Sequence, residues 1–100
     1  MANLDIFEHR HIDEVREVVG EWELLLREQT VKVKILKISD KYYYRTSHYY
    51  KSSNQASPVM STVNGSDTIT EALLLARQQI ICTSYDPQDK NAKWIPNERY

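Results

Sequence analysis

The first apolar residues of the chain follow the spacing of a helix. They would share one helix face: Ile12, Val15, Val18 and Val19. Acidic residues separate them, and Gly20, a frequent helix-ending residue, comes next. The pattern predicts a short acidic helix over residues 12–19. An alternative interpretation extends this helix to about residue 28, with Gly20 inside it at a cost of about 1 kcal/mol.

After Gly20 the pattern is better described by the two-residue alternation of β-strands. β-Branched and aromatic residues favour three strands, over about residues 22–28, 31–38 and 41–50. Two-residue turns at Gln29-Thr30 and Ser39-Asp40 would join them into a three-stranded antiparallel meander.

Counting outward from the Ser39-Asp40 turn predicts an apolar inner face for this sheet. Ile35 then falls opposite Tyr44, and Val33 falls opposite Thr46. The same count continues with Val31 opposite His48 and Lys32 opposite Ser47. The Gln29-Thr30 turn adds Leu24 and Leu26 to the inner face.

The outer face is predicted to be basic and aromatic. Lys34 lies opposite Arg45, and Arg27 lies opposite Lys32, with Glu23 as the only counter-charge. Like charges in directly opposite positions destabilise a sheet, so the first pair requires something that offsets it.

A second helix is predicted after a long serine-rich connection, residues 52–66. Thr68 and Glu71 form a capping box, and a helical stripe of apolar residues continues to Ile80. The helix should span about residues 68–81 and cover the inner face, although residues 80–83 would also suit a short strand. The tail after residue 86 is predicted to be irregular, with Trp94 and its neighbours folded back onto the rest. The whole is an α+β fold in a single domain, residues 1–100.

The order helix, three strands, helix resembles the double-stranded RNA-binding domain over about residues 10–80. That family carries a lysine-rich signature at the start of its second helix. Here residues 68–73 read Thr-Ile-Thr-Glu-Ala-Leu and contain no lysine. The resemblance therefore implies a topology and transfers no binding residues.

Charge is distributed unevenly along the chain although its formal net value is -1. Residues 1–26 hold seven acids and two bases, whereas residues 27–51 hold seven bases and two acids. Such asymmetry fits an internal match between acidic and basic parts, a contact between copies, or a basic patch for an anionic partner.

The sequence offers no catalytic, cofactor or metal motif. Neither glycine lies in a phosphate-binding pattern, and the histidines at positions 9 and 11 are expected to be solvated. The single cysteine, Cys82, excludes an internal disulfide and fits a reducing compartment. With no long apolar run to cross a membrane, the expected location is the cytoplasm.

The basic, tyrosine-bearing face is the predicted binding site of a small non-catalytic adaptor domain. Its candidate residues are Arg27, Lys32, Lys34, Tyr43, Arg45, Tyr49 and Lys51. Exposed aromatic patches most often mark protein contacts, so a protein partner or a second copy of the chain is expected. The alternative is single-stranded nucleic acid, with phosphates on the basic groups and bases stacked on the tyrosines. A further interpretation leaves this face solvated or covered by the chain itself.

Overall fold

Three antiparallel strands form the main sheet of the computed structural model, which describes residues 4–58 and 65–100. They are β1 (Glu17–Leu26), β2 (Gln29–Ile38) and β3 (Lys41–Thr46), in the order β1-β2-β3. The predicted meander is confirmed, and β1 and β3 are its two edges. Residues 59–64 of the predicted serine-rich connection lie outside the described residues.

The β2–β3 hairpin has the register predicted from the sequence. Ile35 pairs with Tyr44, and Lys34 pairs with Arg45. Ser39, the first residue of the two-residue turn, has a positive φ of 58°, a conformation typical of hairpin turns.

The N-terminal helix predicted over residues 12–19 is not formed. Residues 12–16 have no regular structure and β1 begins at Glu17, while the one helical turn described before the sheet is a 3-10 turn, Leu4–Phe7. A β-bulge between Val18 and Gly20 interrupts the strand alternation, so the apolar spacing resembles that of a helix. The topological resemblance to the double-stranded RNA-binding domain therefore fails at its first element.

The turn between β1 and β2 lies at Arg27 and Glu28, two residues earlier than predicted. Leu24 therefore pairs with Val31 instead of Ile35. This moves the register by four residues, an even number, so every side chain keeps its predicted face. Arg27 is an exception, because it occupies the turn and Glu23 takes its predicted place opposite Lys32.

The helix α1 (Ile69–Ile80) covers the inner face over β2 and β3. Thr68 caps it as predicted, since its hydroxyl accepts a hydrogen bond from the Glu71 amide at 3.1 Å. The buried core joins alternate residues of β2 and β3 to one helix stripe: Val31, Val33, Ile35, Tyr44, Ala72, Ala76 and Ile80. No helix within the described ranges has the length and apolar character needed to cross a membrane.

The predicted strand 41–50 is divided at Ser47. Its amide donates to the Lys32 carbonyl at 2.8 Å, and its hydroxyl accepts from the Lys32 amide at 2.7 Å. The Ser47 hydroxyl thus takes the place that the Ser47 carbonyl would have in the ladder. The carbonyl accepts instead from the Asn97 amide at 2.8 Å. His48 consequently does not pair with Val31, and the chain leaves the main sheet here.

The tail is more ordered than predicted. β4 (His48–Lys51) pairs with β5 (Lys93–Pro96) in a second, two-stranded sheet. Trp94 packs against the core as expected and lies edge-on to Tyr50, with their ring centroids 5.1 Å apart. The second sheet brings residues 97–100, which follow β5, back to the main sheet.

Candidate binding face

A row of three paired residues crosses the outer face of the main sheet. Glu21 on β1 pairs with Lys34 on β2, and Lys34 pairs with Arg45 on β3. The predicted like-charge pair is therefore present, but Glu21 lies beside it as a counter-charge. The β1–β2 turn was predicted two residues too late, so Glu21 was not expected opposite Lys34. The face is a mixed one rather than a purely basic one.

Residues 97–100, termed the 97–100 segment below, lie across this row. The Arg45 guanidinium donates to the Arg99 carbonyl at 3.0 Å. The Lys34 ammonium lies 4.3 Å from the centre of the Tyr100 ring, a cation–π contact. The Tyr100 hydroxyl donates to the Glu21 carboxylate at 2.6 Å. One short segment thus meets every member of the row and offsets the repulsion between its two cations.

Asn97 anchors the segment at the edge of β3. Its side-chain amide donates to the Thr46 carbonyl at 2.9 Å, and its carboxamide oxygen accepts from the Arg99 amide at 3.0 Å. Leu36, which also points to the outer face, is only 4% exposed. The centre of the predicted binding face is therefore covered by the chain itself.

The contact with Glu21 changes the acidity of Tyr100. Burial raises the pKa of the Tyr100 phenol above its ordinary value, and the hydrogen bond to Glu21 and the charge of that carboxylate raise it further. The docked segment is stabilised by the protonated phenol. This contribution to stability is fully present at pH values below the ordinary tyrosine pKa of about 10, and it is lost as the pH rises through the pKa of the folded state.

Tyr100 should therefore ionise at a higher pH than an ordinary tyrosine in alkaline titration. Absorbance near 295 nm of the wild type minus that of Tyr100→Phe isolates its ionisation, and we expect a midpoint clearly above 10. Glu21→Gln should lower that midpoint, because the amide keeps an acceptor but carries no charge. A difference curve centred at the ordinary value would contradict the described docking.

Two of the predicted site residues are separated from this row. Arg27 lies in the β1–β2 turn, and Lys51 lies on β4 opposite Lys93. Lys32 stays on the outer face, 3.9 Å from the Glu23 carboxylate. None of these three lines the cleft that the tyrosines share.

Three of the other four predicted residues come together, while Lys34 lies under the Tyr100 ring. Tyr43 and Arg45 from β3 and Tyr49 from β4 line one cleft of about 260 Å³ beside the β3 edge. Asn97 and Arg99 also line it, as does the buried Tyr44. The cleft thus combines two arginines with two half-buried tyrosines.

Sequence reasoning missed Glu21, Asn97, Arg99 and Tyr100 as parts of this face. Asn97 and Arg99 are about fifty residues distant in sequence from the β3 groups that they contact. The sequence did contain one indication of these residues, the two cations Lys34 and Arg45 in directly opposite positions. Such a pair requires a compensating group, but the sequence does not identify that group.

Comparison of the chain with protein-family models, with curated proteins and with solved structures gives no match. The rings of His9 and His11 lie 5.2 Å apart at the exposed start of the described chain. No three metal-ligating side chains converge within the described ranges. Any statement about function therefore depends on the geometry of the face itself.

Proposed function

We propose that this chain is a small non-catalytic binding domain that holds a protein partner, or a second copy of itself, at the cleft beside β3. The observation that carries the proposal is the convergence of Tyr43, Arg45 and Tyr49 on that cleft. Arginine forms paired hydrogen bonds with carboxylates, and tyrosine supplies apolar contact area at small entropic cost. The cleft suits an acidic side chain flanked by apolar residues.

The proposal is non-catalytic because of the groups around the cleft. The described lining offers arginine, phenol, hydroxyl and amide groups, without a nucleophile paired to a base. A cytoplasmic location belongs to the proposal, and Cys82, the single cysteine, is consistent with it.

Single-stranded nucleic acid is the second candidate for the same cleft. The observation favouring it is the pair of tyrosines, whose rings could stack on bases beside the two arginines. The acidic residues of β1 weigh against it. Glu23 already lies beside Lys32, and Glu21 stands next to Lys34, so the sheet offers no uninterrupted cationic path for a phosphate backbone.

The double variant Tyr43→Ala/Arg45→Ala should abolish capture of the partner in a pull-down while leaving the protein folded. Interface arginines and tyrosines are frequent hot spots, so a loss of at least about tenfold is expected. Lys90→Ala is the control, because Lys90 is exposed and lies outside the cleft. Circular dichroism checks the fold of both variants. An unchanged set of captured proteins would refute the proposal.

Binding to short single-stranded oligonucleotides separates the two candidates. Phosphate contacts require affinity to fall steeply as salt rises. Under the proposed protein-binding function, no oligonucleotide binding is expected at low salt. Tight, salt-dependent binding that the double variant removes would favour the nucleic-acid function instead.

A further inference from the structure

The opposite edge of the main sheet is open within the described residues. β1 is ten residues long and pairs with β2 along one side, while no described strand pairs with its other side. The backbone groups of an unpaired edge can form hydrogen bonds with an added strand. This edge lies two strands from the cleft beside β3.

The inner face of β1 is also incompletely covered. Because α1 packs over β2 and β3, a groove of about 260 Å³ remains between the helix and β1. Trp22 and Leu24 line it from β1 and Leu73 lines it from α1, and Trp22 is 40% exposed. A side chain added beside Trp22 could fill this groove and bury further apolar surface.

The six-membered part of the Trp22 ring lies beside Gly20. A methyl group on Gly20 would come within 2.6 Å of that ring, so the absence of a side chain at Gly20 permits this position. The ring thereby presents a broad apolar surface at the open edge, of the kind that anchors many protein interfaces.

Strand β2, which already pairs with β1, indicates which side chains a strand added at the free edge should carry. Lys32 and Lys34 of β2 stand opposite Glu23 and Glu21, and Val33 stands opposite Trp22. The free edge presents the same side chains of β1. A strand in which basic residues alternate with apolar ones would repeat these pairs, and the largely exposed Glu23 carboxylate has room for a second cation.

A second copy of the chain fits this edge less well. Antiparallel pairing of two β1 strands centred on Trp22 would place Glu21 of one copy opposite Glu23 of the other. Like charges in directly opposite positions are destabilising. The edge is therefore complementary to a basic strand and not to itself.

We propose that the free edge of β1 binds an extended segment of a partner protein in which lysine or arginine alternates with apolar residues. The basic groups face Glu21 and Glu23, and the apolar groups pack on Trp22 and into the groove beside α1. This is a second binding site, on the sheet edge opposite the cleft beside β3, and its Glu21 carboxylate also accepts the hydrogen bond of the Tyr100 hydroxyl.

The test uses three synthetic nine-residue peptides and the full chain. One alternates valine with lysine, one alternates valine with glutamate, and one has the composition of the first with its lysines grouped together. Titrations of fluorescently labelled peptide measure affinity, and amide chemical shifts locate the site. We expect the valine–lysine peptide to bind at least about tenfold more tightly than the other two, with the largest shifts in residues 20–25.

Glu23→Lys provides the matched charge reversal at an exposed position. It should weaken binding of the valine–lysine peptide about fivefold and strengthen binding of the valine–glutamate peptide. Tyr49→Ala, which alters the cleft from β4, should bind the valine–lysine peptide like the wild type, which separates this site from the cleft.

Several outcomes would overturn the proposal. They are equal binding of the alternating and grouped lysine peptides, no binding at millimolar peptide, and no effect of Glu23→Lys. Self-association of the wild-type chain that Glu23→Lys alters would likewise assign the edge to a second copy instead.

Discussion

Replacing Ile80 with alanine should lower the free energy of unfolding by about 2–5 kcal/mol. Ile80 is fully buried at the end of α1, where it belongs to the core shared with β2 and β3. Its neighbour Ile81 is 47% exposed and lies just beyond the helix. Ile81→Ala removes the same atoms from a site about half open to water, so it should cost less, about 1 kcal/mol.

Urea denaturation followed by circular dichroism measures both effects. The two variants have identical composition, so a difference in midpoint reports mainly the difference in burial, since alanine slightly favours the helix at position 80. Equal losses for the two isoleucines would mean that α1 ends differently or is rotated on the sheet. Because a domain of this size is stable by only about 5–15 kcal/mol, Ile80→Ala should also reduce the yield of folded protein.

The helix and the β2–β3 hairpin were predictable because their determinants are local. The stripe ending at Ile80 and the cap at Thr68 fix α1, and the alternation around Ser39-Asp40 fixes the hairpin register. Even the misplaced β1–β2 turn left Leu24 on the inner face, since the error was an even number of residues. The alternation of apolar and polar residues therefore predicted the face of each side chain more reliably than it predicted the positions of the turns.

The start of β1 was not predictable from local pattern. The spacing of Val15, Val18 and Val19 fits one face of a helix, and the bulge that reconciles it with a strand exists only when β1 pairs with β2. The preference of valine for strands was a weak signal in the right direction. Here pairing with a distant segment decided between two locally acceptable structures.

Of the candidate site, the sequence located the tyrosines and the charged pair but not what covers them. Tyr43 and Arg45 were assigned to the outer face by register counting, which requires only the hairpin. The position of Tyr100 over Lys34 depends on β5, whose partner β4 is more than forty residues earlier. Such a contact leaves no periodicity in the sequence, only an unbalanced charge pair that needs a partner.

Tyr49 and Tyr50 are adjacent, yet the structure assigns them different roles. Tyr49 lines the cleft and remains partly exposed, whereas Tyr50 is 3% exposed. The Tyr50 hydroxyl donates to the Asp86 carbonyl at 3.2 Å and accepts from the Asp86 amide at 3.1 Å. Its ring contacts Tyr85 edge-on, at 5.0 Å between centroids, and packs on Trp94 from the other sheet strand. Tyr50 thus ties the tail to the domain.

Tyr50→Ala should therefore destabilise the protein by about 3–5 kcal/mol, the cost of removing a buried aromatic ring. Tyr50→Phe keeps the ring and loses the two bonds to Asp86, at a cost of about 1–3 kcal/mol. Tyr49→Ala should change stability by less than about 1 kcal/mol while weakening partner capture at the cleft. Denaturation followed by tryptophan fluorescence, which reports on Trp22 and Trp94, measures all three variants.

The order of these three variants is the critical result. If Tyr49→Ala were as destabilising as Tyr50→Ala, Tyr49 would be a packing residue and the cleft would lose one of its binding groups. If Tyr50→Ala were mild, the tail would be held mainly by β5 and the Asn97 contacts with Thr46 and Ser47. If the order is as expected, Tyr50→Ala releases the tail and should also lower the raised pKa of Tyr100. The reason is that the 97–100 segment follows β5 directly, so Tyr100 can dock on Glu21 only while β5 is in place.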